Sequence, residues 1–283
     1  MRTEKEMFAL FDRISAQDPR IRVMTLEGSR VNPNVTPDVW QDYDLTFLVT
    51  DVESFTKDDS WLSLFGDLVF MQKPEAMDLF PPDFPAGWFS YLMLFADGVK
   101  IDLTLVPVTD VRTYFAQDPL IRVLLDKDGI CPPHPDPTDA PFWVQKPSEA
   151  FIRDCSNEFF LSATYAHRAL LREEFLFVTW TFENRLHPEL LRMLGYLAGG
   201  RAEFPVNTGK HDRWIFRYLT EAEGAALRET YRLDSLEGQR LALSAAMELF
   251  ARAMGEVCAA LGFNCPKDPQ IIRDHLAHLP RQK

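Results

Sequence analysis

The sequence predicts an α+β protein in two parts, rich in strands at the front and helical at the back. Five short runs rich in aromatic and β-branched residues lie before residue 107, each bounded by Gly, Pro, Asn or Asp. From about residue 148 onward the apolar residues recur instead at three- and four-residue spacing, as a helix face requires. Between the two textures stand six prolines, at positions 132, 133, 135, 137, 141 and 147. Proline at that density excludes regular helix or sheet and favours an extended, semi-rigid connector. The expected organisation is a first domain over 1–135, a linker over 136–147 and a helical domain over 148–283.

In chain order, Met7, Leu10, Phe11 and Ile14 predict an amphipathic helix over about 3–17. Strands are expected at Ile21–Leu26, Tyr43–Thr50, Leu68–Met71, Phe89–Phe95 and Val99–Val106. Ala96-Asp97-Gly98 joins the last two, and a short Asp-Gly connection between such runs signals a hairpin. Pro147 and Ser148 open the first helix of the second part, since proline is tolerated where its missing N–H has no partner. Helices are expected over 148–170, 172–185, 188–199, 212–219, 221–231, 236–261 and 268–279, with Gly199-Gly200, Gly209 and Gly262 as stops.

Charge narrows the function classes. Thirty Lys and Arg against 42 Asp and Glu leave −12, which argues against a sequence-independent nucleic-acid binder. The same balance suits a cationic small molecule, because acidic clefts concentrate positive ligands. No run reaches the roughly 20 apolar residues of a membrane helix. The charged, amphipathic start MRTEKEMFALFDR lacks the apolar core of a secretory signal, so a cytoplasmic location is expected. The four cysteines form no C-x-x-C pair, and His275 and His278 read as surface residues. Nothing in the pattern specifies an oligomeric state.

The chemistry concentrates in Leu26-Glu27-Gly28-Ser29-Arg30, Asp42-Tyr43-Asp44 and Ile101-Asp102-Leu103. Alternation along a strand puts Asp42 and Asp44 on one side and Tyr43 on the other. Two neighbouring carboxylates repel unless a cation sits between them. Asp102 lies inside the apolar run VKIDLTLV, where burial is costly unless it is paired or binds metal. Three aspartates on neighbouring strands would hold two magnesium ions, as phosphoryl and nucleotidyl transfer require. Gly28 lets backbone approach a ligand closely. Exposed N–H groups with the Ser29 hydroxyl suit phosphate oxygens, and Arg30 adds a fixed positive charge.

A strand, Gly-Ser, a strand with Asp-x-Asp and a further strand with Asp, in that order, is the signature of the nucleotidyltransferase superfamily. VMTLEGSRVNPN, WQDYDLTFLVTD, FMQKPEAMDLFPP, FSYLMLFADGVKIDLTLVP and LLDKD resemble the aminoglycoside 6-adenylyltransferases, the streptomycin-modifying enzymes. The likeness continues through VQKPSEAF, CSNEFFLSATY, PELLRMLGYLAG and TGKHDRWIFRYL, to about residue 220. It implies a nucleotidyltransferase-type mixed β-sheet domain followed by an α-helical bundle, with the active site in the cleft between them. It also implies transfer of AMP from ATP to a hydroxyl of the streptidine ring, with release of pyrophosphate.

On that resemblance Asp42 and Asp44 bind the magnesium that escorts the triphosphate, and Gly28, Ser29 and Arg30 meet the phosphates. Asp42, Asp44 and Asp102 share a second magnesium near the attacking hydroxyl. Asp102 is the first candidate for general base and Glu158 the second. Lys210, in Thr208-Gly209-Lys210, is a candidate phosphate contact from the second domain. Streptomycin carries two guanidinium groups, so acidic and aromatic contacts are expected. Glu158 leads, followed by Asp154, Glu173 and Glu174, with Trp180 and Phe182 as stacking partners. The competing reading keeps the fold and changes the acceptor to another antibiotic, a protein side chain or an RNA end, and the negative charge speaks against RNA.

Overall fold

The computed structural model describes residues 1–80 and 84–278. Pro81 and Pro82, which close the FMQKPEAMDLFPP segment, and Leu279, the end of the last expected helix, lie outside them. The chain divides into two compact units, Met1–Pro141 and Phe142–Lys283.

The first unit opens with helix α1 (Glu4–Gln17), started by a capping box in which Thr3 and Glu6 satisfy each other's backbone N–H groups. Among the described residues six strands follow: β1 (Ile21–Glu27), β2 (Tyr43–Val49), β3 (Leu68–Gln72), β4 (Phe89–Phe95), β5 (Lys100–Pro107) and β6 (Ile121–Asp126). Short helices α2 (Glu53–Thr56) and α3 (Val111–Phe115) interrupt them. The sheet order is β3-β4-β5-β2-β1-β6. Among the described residues only β2 and β5 run parallel; the other pairs are antiparallel, so the sheet is mixed.

Alternation gives the sheet two different faces. On one, Leu26, Tyr43, Leu45, Phe47, Ile101 and Leu103 bury with Phe11 of α1 and with Phe55 and Phe65. Each such side chain contributes about 1.5–3 kcal/mol on burial. On the other face Val23, Leu48 and Val106 join Trp88, Tyr114 and Ile121 in a smaller core. Closer to the start of β2 this second face turns polar. Thr25 pairs with Thr46 and Thr46 with Thr104, and the next row is Glu27, Asp44 and Asp102. The apolar rows anchor the strands, so the acidic row is held on a rigid base.

The second unit is helical: α4 (Glu149–Leu171), α5 (Phe175–Thr181), α6 (His187–Arg201), α7 (Glu221–Glu229), α8 (Leu236–Leu261) and α9 (Asp268–Ala277). Ser148 caps α4 by accepting the Phe151 N–H at 3.2 Å. The bundle core centres on Phe159 of α4 and Phe250 of α8, whose rings stack at 4.1 Å. The α+β class is thus a mixed sheet followed by a helical bundle.

Several expected elements differ. Strand β6 is absent from the sequence reading. The helices expected over 172–185 and 188–199 form one run, because a π-helical turn, Phe182–Leu186, carries α5 into α6. There the His187 N–H reaches back to the Phe182 carbonyl, so Pro188 sits inside a continuing helix rather than at a fresh start. The helix expected over 212–219 is only a 3-10 turn, Ile215–Arg217. His211 and Asp212 hold left-handed backbone just before it, which helix cannot continue through.

Candidate active site

Parallel pairing of β2 with β5 sets Asp44 beside Asp102, and antiparallel pairing of β1 with β2 sets Glu27 beside Asp44. Asp42 lies just before β2. Asp42, Asp44 and Asp102 each offer a carboxylate oxygen within 4.8 Å of the others. Burial, then the charges of Asp42 and Asp102, push the Asp44 carboxyl up to about 7. One Asp102 oxygen, Oδ1, is buried with no hydrogen-bond partner. A cluster that holds one carboxylate near half-protonation and leaves a buried acceptor unpaired is short of positive charge. Hard oxygen ligands at this separation fit a divalent cation such as magnesium.

Gly28 follows β1 and takes φ +68. A β-carbon there would meet Asp44 Oδ2 at 2.5 Å, so glycine is what lets the carboxylate lie against the backbone. Its N–H donates to the Leu120 carbonyl at 3.1 Å. That N–H is therefore occupied within the chain. Ser29 is half-buried in the same 3-10 turn, Gly28–Arg30.

Arg30 faces inward. Its Nε donates to the Asp42 carbonyl at 2.8 Å and its Nη2 to the Gln41 carbonyl at 2.6 Å. The guanidinium lies 3.7 Å over the Tyr43 ring, and its side chain is 8% exposed. The fork thus fastens the segment that carries Asp42 and Asp44 to the turn that carries Gly28.

Two charged residues given no role by the sequence reading join the cluster. Lys100 donates from Nζ to Asp42 Oδ2 at 3.0 Å and to Asp102 Oδ2. Its position two before Asp102 on one strand, hence on the same face, was the available signal. Glu27 ends β1 and accepts from the Tyr114 hydroxyl and from Thr25. Burial pushes its carboxyl up. Here the signal was alternation with Thr25.

The remaining candidates lie in the second unit. Glu158 is half-buried on α4 and accepts from Arg185 Nη1 at 2.8 Å. Ser162 donates to the same oxygen. Lys210 is exposed in a loop whose Thr208 hydroxyl bonds Asp212 at 2.7 Å and whose Trp214 N–H bonds the Thr208 carbonyl at 2.8 Å. Asp154, Glu173 and Glu174 are exposed. Trp180 is 47% exposed and stacks with Phe177, with Arg185 nearby. Phe182 is fully buried in the bundle core, so it cannot stack on a ligand as expected.

The arrangement can hold a cation among three carboxylates at the rim of a rigid sheet, beside a turn pared to glycine. A protein-family model described as streptomycin adenylyltransferase matches residues 1–279. The chain belongs to that family. It is 42% identical to an aminoglycoside 6-adenylyltransferase of Campylobacter jejuni over 276 residues, 98% of this chain and 95% of that one. It is 40% identical to the Staphylococcus aureus protein of the same name over 277 residues, 98% of each chain. A crystal structure of an aminoglycoside 6-adenyltransferase from Bacillus subtilis is 35% identical over 98% of each chain, with a TM-score of 0.48. As a member of the streptomycin adenylyltransferase family the chain is a nucleotidyltransferase. No helix among the described residues is long and apolar enough to cross a membrane.

Proposed function

We propose that this chain transfers AMP from MgATP to the 6-hydroxyl of the streptidine ring in streptomycin-like aminoglycosides, releasing pyrophosphate and conferring resistance. The observation that carries the reading is the convergence of Asp42, Asp44 and Asp102 within 4.8 Å. Relatives named for aminoglycoside 6-adenylylation support the choice of acceptor. The proposed division of labour is a catalytic domain over 1–135, the proline-rich linker over 136–147 and a substrate-binding helical domain over 148–283.

Asp42, Asp44 and Asp102 would hold two magnesium ions, which when bound neutralise the triphosphate and lower the pKa of the acceptor hydroxyl. Gly28 keeps Asp44 free to face them. Gly28, Ser29 and Arg30 border the triphosphate, Arg30 by fixing the Asp42 backbone. Lys210 brings a flexible ammonium to the phosphates. The acceptor oxygen attacks the α-phosphorus in line, a new O–P bond forms, and the bond from α-phosphorus to the bridging oxygen breaks with its electrons leaving on pyrophosphate. Asp102 accepts the hydroxyl proton. Glu158 already accepts a guanidinium N–H, from Arg185, and the antibiotic's guanidinium groups present the same donor. The reaction then rests on positioning and charge neutralisation.

The test is pyrophosphate release from MgATP over an aminoglycoside panel, with Asp42→Asn as control. Release with streptomycin, none with kanamycin and none from the variant is the expected result. Silence with every aminoglycoside from a folded protein that binds ATP would overturn the acceptor.

A further inference from the structure

At the acidic cluster, Lys100 bonds two of the three carboxylates directly. It precedes Asp102 by two on β5, so both side chains rise from the same face of the sheet. Its ammonium lies between Asp42 Oδ2, at 3.0 Å, and Asp102 Oδ2. The same two residues supply oxygens to the cluster that would enclose a cation. Lys100 satisfies that cluster only in part, since Asp102 Oδ1 is left buried without a partner. Its side chain is 46% exposed, so the ammonium has an open route to water on a long, flexible stem.

We propose that Lys100 is a displaceable internal counter-ion of the carboxylate cluster: its ammonium occupies oxygens that a divalent cation needs, and cation binding is an exchange with it. The proposal rests on the reading of Asp42, Asp44 and Asp102 as cation ligands. Two consequences follow from charge alone. Without the cation, Lys100 keeps Asp42 and Asp102 together despite their repulsion. With it, two positive centres contend for the same oxygens, so Lys100 lowers the apparent affinity. The lysine remains an ammonium throughout and changes only its place.

The experiment titrates the full chain with Mn2+ in the absence of nucleotide, reading free ion by electron paramagnetic resonance. A pair of like charges a few ångströms apart near a protein surface is worth enough that Lys100→Met should bind Mn2+ about tenfold more tightly than wild type. Lys100→Arg, which keeps the charge, should stay within about twofold of wild type. Asp44→Asn should weaken binding at least about tenfold in either background. Equal or weaker Mn2+ binding by Lys100→Met, with Asp44→Asn still weakened, would overturn the counter-ion role and leave the ligand reading standing. No Mn2+ binding by any of these proteins would overturn both.

A second measurement needs no variant. An amine-reactive ester should modify wild-type Lys100 several-fold faster with saturating Mg2+ than without, while Lys5 and Lys57 keep their rates, as mass spectrometry of the digest reads. A Lys100 rate that is unchanged or slower in Mg2+ would also overturn the exchange.

Discussion

Gly28 and Asp44 occupy one another's space: a β-carbon on residue 28 would stand 2.5 Å from Asp44 Oδ2. The antiparallel register of β1 and β2 sets Glu27 opposite Asp44 and delivers the following turn against the carboxylate. Residue 28 is therefore constrained twice, by its positive φ and by its neighbour. Gly28→Ala should cost roughly 1–2 kcal/mol for the left-handed backbone alone. It should also push the Asp44 carboxylate out of the cluster. The expected outcome is a modest drop in thermal midpoint with at least a tenfold loss of Mn2+ affinity and of pyrophosphate release. A Gly28→Ala protein with wild-type cation affinity would show that the close approach is dispensable.

Asp44 makes the metal-free protein pH-sensitive. Its folded carboxyl titrates at about 7, raised first by burial and then by Asp42 and Asp102. The unfolded chain has lost that proton well below this value, so between about pH 4 and 7 the folded state binds more protons. Stability from this group is fully present below the usual carboxylate range and is lost as pH rises through about 7. The slope is at most about 1.4 kcal/mol per pH unit for one proton. Asp44→Asn should flatten that segment of the stability profile and abolish transfer with the fold intact. Denaturant titrations at several pH values compare the two proteins, and parallel profiles would refute the assignment. A divalent cation should reverse the trend in wild type, since it binds the ionised form.

Much of this site is legible in the sequence, and the exceptions have physical causes. Asp42-Tyr43-Asp44 and Asp102 are readable because strand alternation fixes their side of the sheet and an apolar run makes an acid conspicuous. Lys100 is harder to read, because a lysine at a strand start is ordinarily a solvated end. Arg30 reads as a charge aimed at phosphate beside Gly-Ser, yet it folds back onto the Gln41 and Asp42 carbonyls. Nothing local to Gly28-Ser29-Arg30 encodes the return of the chain twelve residues later. Strand β6 escapes for a similar reason: it is an edge strand and mostly half-buried, so Ile121–Asp126 shows little alternation. In the bundle, Pro188 mimics a helix start because the π-helical turn that absorbs it has no sequence signature.

Arg30 gives a prediction that separates scaffold from ligand contact. Its guanidinium makes two bonds to main-chain carbonyls and covers the Tyr43 ring at 3.7 Å. Lysine keeps the charge but not the planar fork. Arg30→Lys should therefore lose about 1.5–3 kcal/mol in urea unfolding, the range for hydrogen bonds to a charged group. A variant as stable as wild type would show that the fork does not hold the Asp42 segment in place.

Asp102 and Glu158 are the two candidate proton acceptors, and kinetics tells them apart. Asp102 sits in the carboxylate cluster with one oxygen unpartnered. Glu158 is engaged by Arg185 at 2.8 Å and by Ser162, in the second unit. A carboxylate already held by a guanidinium suits recognition of a guanidinium ligand better than capture of a proton. On the proposed assignment Asp102→Asn should lower kcat by at least about a hundredfold, the usual scale for losing a general base. Glu158→Gln should raise KM for streptomycin about tenfold and leave kcat within about threefold, as expected when a contact is equal in ground and transition states. Initial rates over a range of streptomycin at saturating MgATP measure both. A Glu158→Gln enzyme with unchanged KM and a kcat lowered a hundredfold would move the base to Glu158.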